Sequence, residues 1–334
     1  MSRMPLPGPL HVTALGNALV DVIARSDYDF VDSHELERGA TVMVDLEQVE
    51  AVYADLPPAQ EISGGSAANT VAGLASFGAS SAFIARVRDD QLGKVFTHDL
   101  RSLGVHFDVP AATAGPATGR CLVVVTPDAQ RTQCTYLGVS SELGPDDVDP
   151  ELIAAAQVTY LEGYLWDQPA AKEAIRKAAA TARSIGRQVA LTLSDPFCVD
   201  RHRDEFKHLV ENDVDIVFAN DDEICSLYEV SEFDEALDHV RRHCEIAALT
   251  RGPLGSIIVG PDEVINVPAE PVAAVVDTTG AGDQYAAGFL YGLTSGSELD
   301  VAGKLASLAA AEVISHLGAR PEVSLRELAG DLLP

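Results

Sequence analysis

The segment Asp277-Thr278-Thr279-Gly280-Ala281-Gly282-Asp283 follows the apolar run Val272-Ala273-Ala274-Val275-Val276 and leads into Gln284-Tyr285-Ala286-Ala287-Gly288-Phe289-Leu290, which reads as a helix. The backbone N–H groups of Gly280, Ala281 and Gly282 are barely obstructed and would point at an anion from that helix N-terminus. Asp283 falls in the first helical turn. A carboxylate beside an anion hole repels phosphate, so it is poorly suited to holding one. It is well suited to taking the proton of a hydroxyl that attacks the phosphate. The chemistry read from this segment is phosphoryl transfer.

Other motifs offer partners for that reaction. In Gly64-Gly65-Ser66-Ala67-Ala68-Asn69 the paired glycines permit close backbone approach to a ligand, and Asn69 brings a donor and an acceptor. The competing reading is a Gly-rich turn with a solvent-facing Asn. Gly16-Asn17-Ala18-Leu19-Val20-Asp21 is expected at the carboxyl end of the first strand, where open α/β sheets bind ligands. Asp21 could accept two hydrogen bonds from a vicinal diol, or be a solvated edge-strand aspartate. Asn220-Asp221-Asp222-Glu223 could hold hydrated Mg²⁺ at a nucleotide phosphate, although helix N-termini attract acids in any case. Thr250-Arg251-Gly252 ends another strand and could line a triphosphate.

Several alternatives are excluded or weakened. No Gly-x-x-x-x-Gly-Lys-Ser/Thr is present, which rules out a P-loop nucleotidase. Gly280-x-Gly282 has Tyr285 where a dinucleotide fingerprint needs its third glycine, and it lies near the C-terminus, against a Rossmann dehydrogenase. His239 and His243 have the i, i+4 spacing of a helical metal pair, but Arg241 and Arg242 beside them favour a solvated helix face.

The 334 residues are 47% hydrophobic, enough for a large core, and carry a net charge of −28. That charge argues against nucleic acid and anionic membrane as partners. Cys121, Cys134, Cys198, Cys225 and Cys244 are odd in number and show no Cys-x-x-Cys, as expected for a reducing cytoplasm. Met1 to Pro9 has no apolar signal core, and no stretch approaches the length of a membrane span. A soluble cytoplasmic protein with a small-molecule substrate is expected.

The elements that must position these groups alternate. Strands are expected at Val12–Leu15, Ala82–Ala85, Val158–Leu161, Gln188–Leu193, Val214–Ala219 and Ile246–Thr250, and helices at Ser66–Phe77, Asp90–Leu103, Ala170–Ile185, Asp222–Tyr228 and Ala302–His316. This pattern predicts a parallel sheet with right-handed crossovers. Ala40–Val44 interrupts it, as does the hairpin of Cys121–Thr126 with Thr132–Tyr136 across Pro127-Asp128-Ala129-Gln130. These segments suggest a small β-sheet lid that excludes water during transfer.

With these residues in place, the chain resembles the ribokinase/PfkB carbohydrate kinase family over essentially its whole length. The Asp277–Asp283 segment, the Gly-Gly-x-x-x-Asn of Gly64 to Asn69 and the Asn-x-x-Glu of Asn220 and Glu223 occur in the family's order. The resemblance implies one ribokinase-like domain over residues 1–334: a three-layer α/β/α sandwich with a mainly parallel sheet, and a lid from insertions at about 18–46 and 105–138. It makes Asp283 the catalytic base and Gly280, Ala281 and Gly282 the anion hole. ATP would bind near Asn220, Glu223, Thr250, Gly252 and Gly282. Asn220 and Glu223 would organise Mg²⁺ through water, and Asp277 and Thr279 would lie at the monovalent-cation (K⁺) site found in many members.

Within the family the likeness is to the adenosine-kinase group. It implies that Asn17, Asp21, Gly64, Gly65 and Asn69 hold a ribose, that Arg131 is a lid arginine facing the phosphates, and that Tyr164, Leu165 and Trp166 form a wall against the base. Ribokinase proper usually has a lysine where Ser66 stands, which moves the substrate away from free ribose. Basic residues for a sugar phosphate are sparse around the motifs, so a neutral acceptor is expected. The expected reaction is ATP-dependent phosphorylation of a ribonucleoside 5′-hydroxyl, adenosine to AMP. The alternative is a kinase of ribose, fructose or a ketodeoxy sugar acid on the same fold. The residues leave monomer and homodimer open.

Overall fold

The computed structural model describes residues 8–128 and 130–333. Met1 to Pro7, Ala129 and Pro334 lie outside them. The first half of the chain runs β1 (Leu10–Leu15), β2 (Leu19–Arg25), α1 (Tyr28–Ser33), β3 (Thr41–Met43), α2 (Leu46–Asp55), β4 (Ala59–Gly64), α3 (Ser66–Phe77), β5 (Ser81–Ile84), α4 (Gln91–Ser102), β6 (Gly119–Val125), β7 (Arg131–Tyr136) and α5 (Pro150–Ala155). The second half continues with β8 (Ala156–Glu162), α6 (Pro169–Ser184), β9 (Gln188–Thr192), α7 (Pro196–Asn212), β10 (Ile216–Asn220), α8 (Asp221–Tyr228), α9 (Phe233–Val240) and β11 (Ile246–Thr250). It closes with β12 (Ser256–Val259), β13 (Val264–Val267), α10 (Ala281–Thr294), α11 (Leu299–Val313) and α12 (Leu325–Ala329).

The large sheet has the order β13-β12-β11-β10-β9-β8-β1-β5. Its strands are parallel from β11 to β5, as the alternation predicts, while β12 and β13 add an antiparallel hairpin at one edge. The central strands are apolar on both faces because both faces are covered. In β10, Ile216 and Phe218 enter the core with α3, α10 and α11, whereas Val217 and Ala219 enter the core with α6, α7 and α8. That makes three layers.

The second sheet, β3-β7-β6-β2-β4, begins where the chain leaves β1 through Gly16, Asn17 and Ala18. The expected hairpin forms, with β6 and β7 antiparallel. Two more strands join it, β2, inside the expected segment 18–46, and β4, outside both expected segments, so Asp21 lies in β2 of the small sheet and not at the end of the first strand. Residues near 106 and 112 bridge to Ala82 and Arg88 instead of joining the small sheet. One face of the small sheet, with Val20, Val22, Leu122 and Val124, packs with Val31 of α1 and Val49 of α2. The opposite face carries Ile23, Cys121, Val123 and Val125, with Asp21 on the same side by alternation.

The helices that carry the site pack closely because their contact residues are small. A Cβ at Gly73 of α3 would lie 2.7 Å from Ala287 Cβ of α10, and one at Gly288 would lie 2.5 Å from the Leu305 carbonyl oxygen of α11. Gly288→Ala is therefore expected to cost about 1–3 kcal/mol, the usual range for overpacking a tight core. Chemical denaturation checks this.

Candidate active site

Gly280 caps α10 in the left-handed region at φ 78°, and a Cβ there would lie 2.7 Å from Ala319. Both conditions select glycine. Nothing lies within 4 Å of a Cβ built at Gly282, so its backbone faces open space. One residue on, Asp283 accepts from Ser66 Oγ at 2.7 Å and from Asn69 Nδ2 at 3.1 Å. Ser66 and Asn69 belong to the first turn of α3, so the carboxylate is held between two helix N-termini. Burial pushes its pKa up to about 6, although the two hydrogen bonds and the Arg320 guanidinium pull it down.

Asp21 faces the same space. Burial raises it to about 6 as well; Arg320 and Arg131 oppose that rise, and Asp283 adds to it. The glycine pair has a reason internal to the fold. A Cβ at Gly64 would fall 2.3 Å from Asp21 Oδ2, and one at Gly65, where φ is 99°, would fall 2.3 Å from the Asn17 carbonyl oxygen. Asn17 does not point freely at a ligand. Its Nδ2 donates to Glu162 Oε1 at 2.7 Å, and its Oδ1 accepts from Ser140 Oγ at 2.8 Å. Glu162 also accepts from Ala67 N–H at 2.9 Å, and burial raises it to about 7.

Arg131 reaches across from the small sheet. Its Nη2 lies 2.9 Å from Asp277 Oδ2 as an ion pair, out of line for a hydrogen bond, and its Nη1 donates to Thr279 Oγ1 at 3.3 Å. Asp277 also accepts from Gly318 N–H at 2.9 Å, Thr279 N–H at 3.1 Å and Thr279 Oγ1 at 2.8 Å. A guanidinium and three donors thus engage this carboxylate.

Asn220 and Glu223 form a reciprocal capping box at α8: Glu223 N–H donates to Asn220 Oδ1 at 2.8 Å, and Asn220 N–H and Nδ2 donate to Glu223 at 3.0 and 2.7 Å. Each Glu223 oxygen takes one donor and keeps capacity for a water. Burial raises this acid to about 7. The pair fits Mg²⁺ held through water, and among the described residues no cluster of three His, Cys, Asp or Glu is built to hold a metal directly.

The remaining expected residues scatter. Thr250 Oγ1 donates to the Ala219 carbonyl at 3.5 Å, and Gly252 is exposed at φ 52°. Leu165 is buried with Trp166 in the core beneath α6 and α7, not in a wall facing Asp21. Tyr164 is the half-exposed member of that trio; its hydroxyl donates to the Ser194 carbonyl at 3.3 Å. His239 stacks on Tyr228 while His243 lies past the end of α9, 4.0 Å from Glu211, so they make no metal pair. A cavity of about 1230 Å³ between Arg86, His106, Asp147 and Lys177 contains none of the motif residues.

Sequence reasoning missed Ser66 as a donor to Asp283, Glu162, and the segment from Gly318 to Arg320. Ser66 stood inside a recognised motif and could have been found there. Glu162 and Arg320 carry no local signal, since their partners are 145 and 251 residues away.

The profile of the pfkB family carbohydrate kinases matches residues 41–325. Among solved structures, an adenosine kinase from Sinorhizobium meliloti is 48% identical with a TM-score of 0.90, covering 97% of this chain and 99% of its own. A probable sugar kinase from Rhizobium etli CFN 42 is 47% identical with a TM-score of 0.91, over the same shares. The adenosine kinase of Saccharomyces cerevisiae is 24% identical over 329 residues, 92% of this chain and 95% of the relative. These likenesses make the three layers and small second sheet a ribokinase-like fold. No helix among the described residues is long and apolar enough to cross a membrane.

The raised Glu162 has a consequence for stability. A carboxyl whose folded pKa exceeds its unfolded value stabilises the fold below the unfolded pKa, and that contribution is lost as pH rises through about 7. The Tm difference between Glu162→Gln and the unmutated protein should shift by about 2–6 °C in the variant's favour between about pH 5 and about pH 8. Thermal melts across that range check the sign; a gap independent of pH contradicts it.

Proposed function

Because the chain belongs to the PfkB family of carbohydrate kinases, and is therefore a phosphotransferase with an alcohol acceptor, we propose that it phosphorylates the 5′-hydroxyl of a ribonucleoside, adenosine first, at the expense of ATP. The observation that carries this reading is Asp283, a carboxyl raised to about 6, braced by Ser66 and Asn69 beside the open backbone of Gly282. A base with that pKa is ionised at neutral pH yet basic enough to share a hydroxyl proton in the transition state.

In this scheme Asp21 accepts hydrogen bonds from the ribose diol and orients the nucleoside. Asp283 takes the 5′-hydroxyl proton as that oxygen bonds to the γ-phosphorus and the bond to the ADP oxygen breaks. The N–H groups at the start of α10 receive the charge on the transferring group. Arg131, at the start of β7 in the small sheet, is placed to trade its Asp277 contact for a phosphate. Mg²⁺, organised through water by Asn220 and Glu223, would neutralise the nucleotide phosphates. The small sheet acts as a lid that excludes water.

The nucleoside is preferred because the groups facing Asp283 include two further carboxyls, Asp21 and Glu162, against one guanidinium, Arg320, already engaged with Asn69 and Asp99, which suits a neutral diol, and because an adenosine kinase is 48% identical over nearly the whole chain. A free sugar is the second reading, supported by the 47% identity to a probable sugar kinase. ADP release with Mg-ATP against adenosine, other nucleosides, ribose, fructose and fructose phosphates separates the two: turnover with sugars alone overturns the nucleoside assignment.

Asp283→Asn should lower kcat by roughly 10²–10⁴-fold with nucleotide affinity little changed; near-normal turnover would remove Asp283 as the base. Asp21→Ala should weaken adenosine binding by about 10–100-fold, through loss of a charged acceptor. Calorimetry that finds unchanged affinity takes Asp21 out of the acceptor site.

A further inference from the structure

Asn69 can donate through Nδ2 to Asp283 only while its Oδ1 faces the other way. Arg320 occupies that other side. Its Nε donates to Asn69 Oδ1 at 3.3 Å, and its Nη1 donates to Asp99 Oδ2 at 3.0 Å. Asp99 in turn accepts from the hydroxyl of Ser63 and from its N–H, the latter at 2.9 Å, immediately before Gly64 and Gly65. One guanidinium thus ties α3 to α4 and to the end of β4.

The segment bearing Arg320 is itself fixed against the anion hole. Gly318 N–H donates to Asp277, Ala319 fills the space a Gly280 side chain would need, and the Ala319 carbonyl accepts from Gln284 Nε2 at 3.0 Å. The same Gln284 nitrogen lies 3.0 Å from the Asn69 carbonyl. Arg320 Nη2 is buried without a hydrogen-bond partner, and the whole side chain is only 14% exposed. The titratable groups that face Asp283 are Asp21 from β2, Tyr160 and Glu162 from β8, Tyr164 just after β8, and Arg320. Arg320 is the cation among them.

We infer that Arg320 is a positioning residue for phosphoryl transfer: it fixes the Asn69 amide that aims Asp283, and its charge offsets those of Asp21 and Asp283. The inference rests on Asp283 being the base. Without the guanidinium, Asn69 loses the partner that sets its orientation, and two carboxyls face each other across the pocket with one cation fewer.

Two variants separate the geometric and electrostatic halves of the role. Arg320→Gln keeps a donor for Asn69 and removes the charge; Arg320→Lys keeps the charge and loses the planar fork. In Arg320→Gln, kcat should fall about ten- to hundredfold, and the acid limb of the kcat/KM profile should move up by about one pH unit. In Arg320→Lys, the limb should stay at the unmutated pH while kcat falls about tenfold. A folded Arg320→Gln with its limb unmoved means structural support only and overturns the inference. Should that variant not fold, Arg320→Lys decides, and turnover within about twofold of the unmutated enzyme overturns the inference. Failure of the underlying reading looks different, because Asp283→Asn would then keep its turnover.

Discussion

The proposed mechanism depends on holding one part-buried carboxylate between donors while leaving it able to react. Asp283 sits in the first turn of α10, and the first turn of α3 supplies both of its donors, Ser66 and Asn69. Burial alone would neutralise the acid; the hydrogen bonds and the two helix N-termini favour its charge. The balance leaves a carboxyl near 6, and it exists only because α3 and α10 approach closely. Gly73 lets the Gln284 and Ala287 side chains come against α3. On the proposed reading the packing of small residues is part of the chemistry, since a separation of even a methyl group would move the donors away from Asp283.

A second consequence of burial is crowding of like charge. Asp21, Asp283 and Glu162 all lie in one region, and burial raises each of them. Two arginines from distant parts of the chain offset this charge: Arg131 from the small sheet and Arg320 from near the C-terminus. In a chain with net charge −28, positive charge is placed locally where the carboxyls need it. Arg131 belongs to β7 of the small sheet and is paired with Asp277, and Arg320 belongs to a segment held to Asp277, Gly280 and Gln284.

Much of this was legible in the sequence because it is local. The helix from Ser66 to Phe77 ends at Gly78, which adopts the left-handed cap its position suggested, and Ile246–Thr250 is a strand over the same residues as expected. The Asp277–Asp283 segment makes the helix entrance its glycines implied. What escaped was long-range. β4, Ala59 to Gly64, has polar residues at several positions and becomes a strand only by pairing with β2. The resemblance placed Leu165 in a wall against the base, whereas the chain turns after β8 and buries it in the core with α6 and α7. The Gly64-Gly65 pair was read as room for a ligand, and the structure adds a need internal to the fold, room for Asp21 and the Asn17 backbone. No spacing rule connects Arg320 to Asn69, because the contact depends on how the C-terminal segment folds back over α10.

The pH dependence of kcat/KM for adenosine, measured with saturating Mg-ATP, tests most directly whether a desolvated Asp283 carboxylate is the base. An acid limb near pH 6 to which Asp21 and Asp283 both contribute, and which loses the Asp283 contribution and becomes shallower in the residual activity of Asp283→Asn, is the expected result. A limb at the ordinary carboxylate pH near 4, or one that persists unchanged in Asp283→Asn, would contradict it.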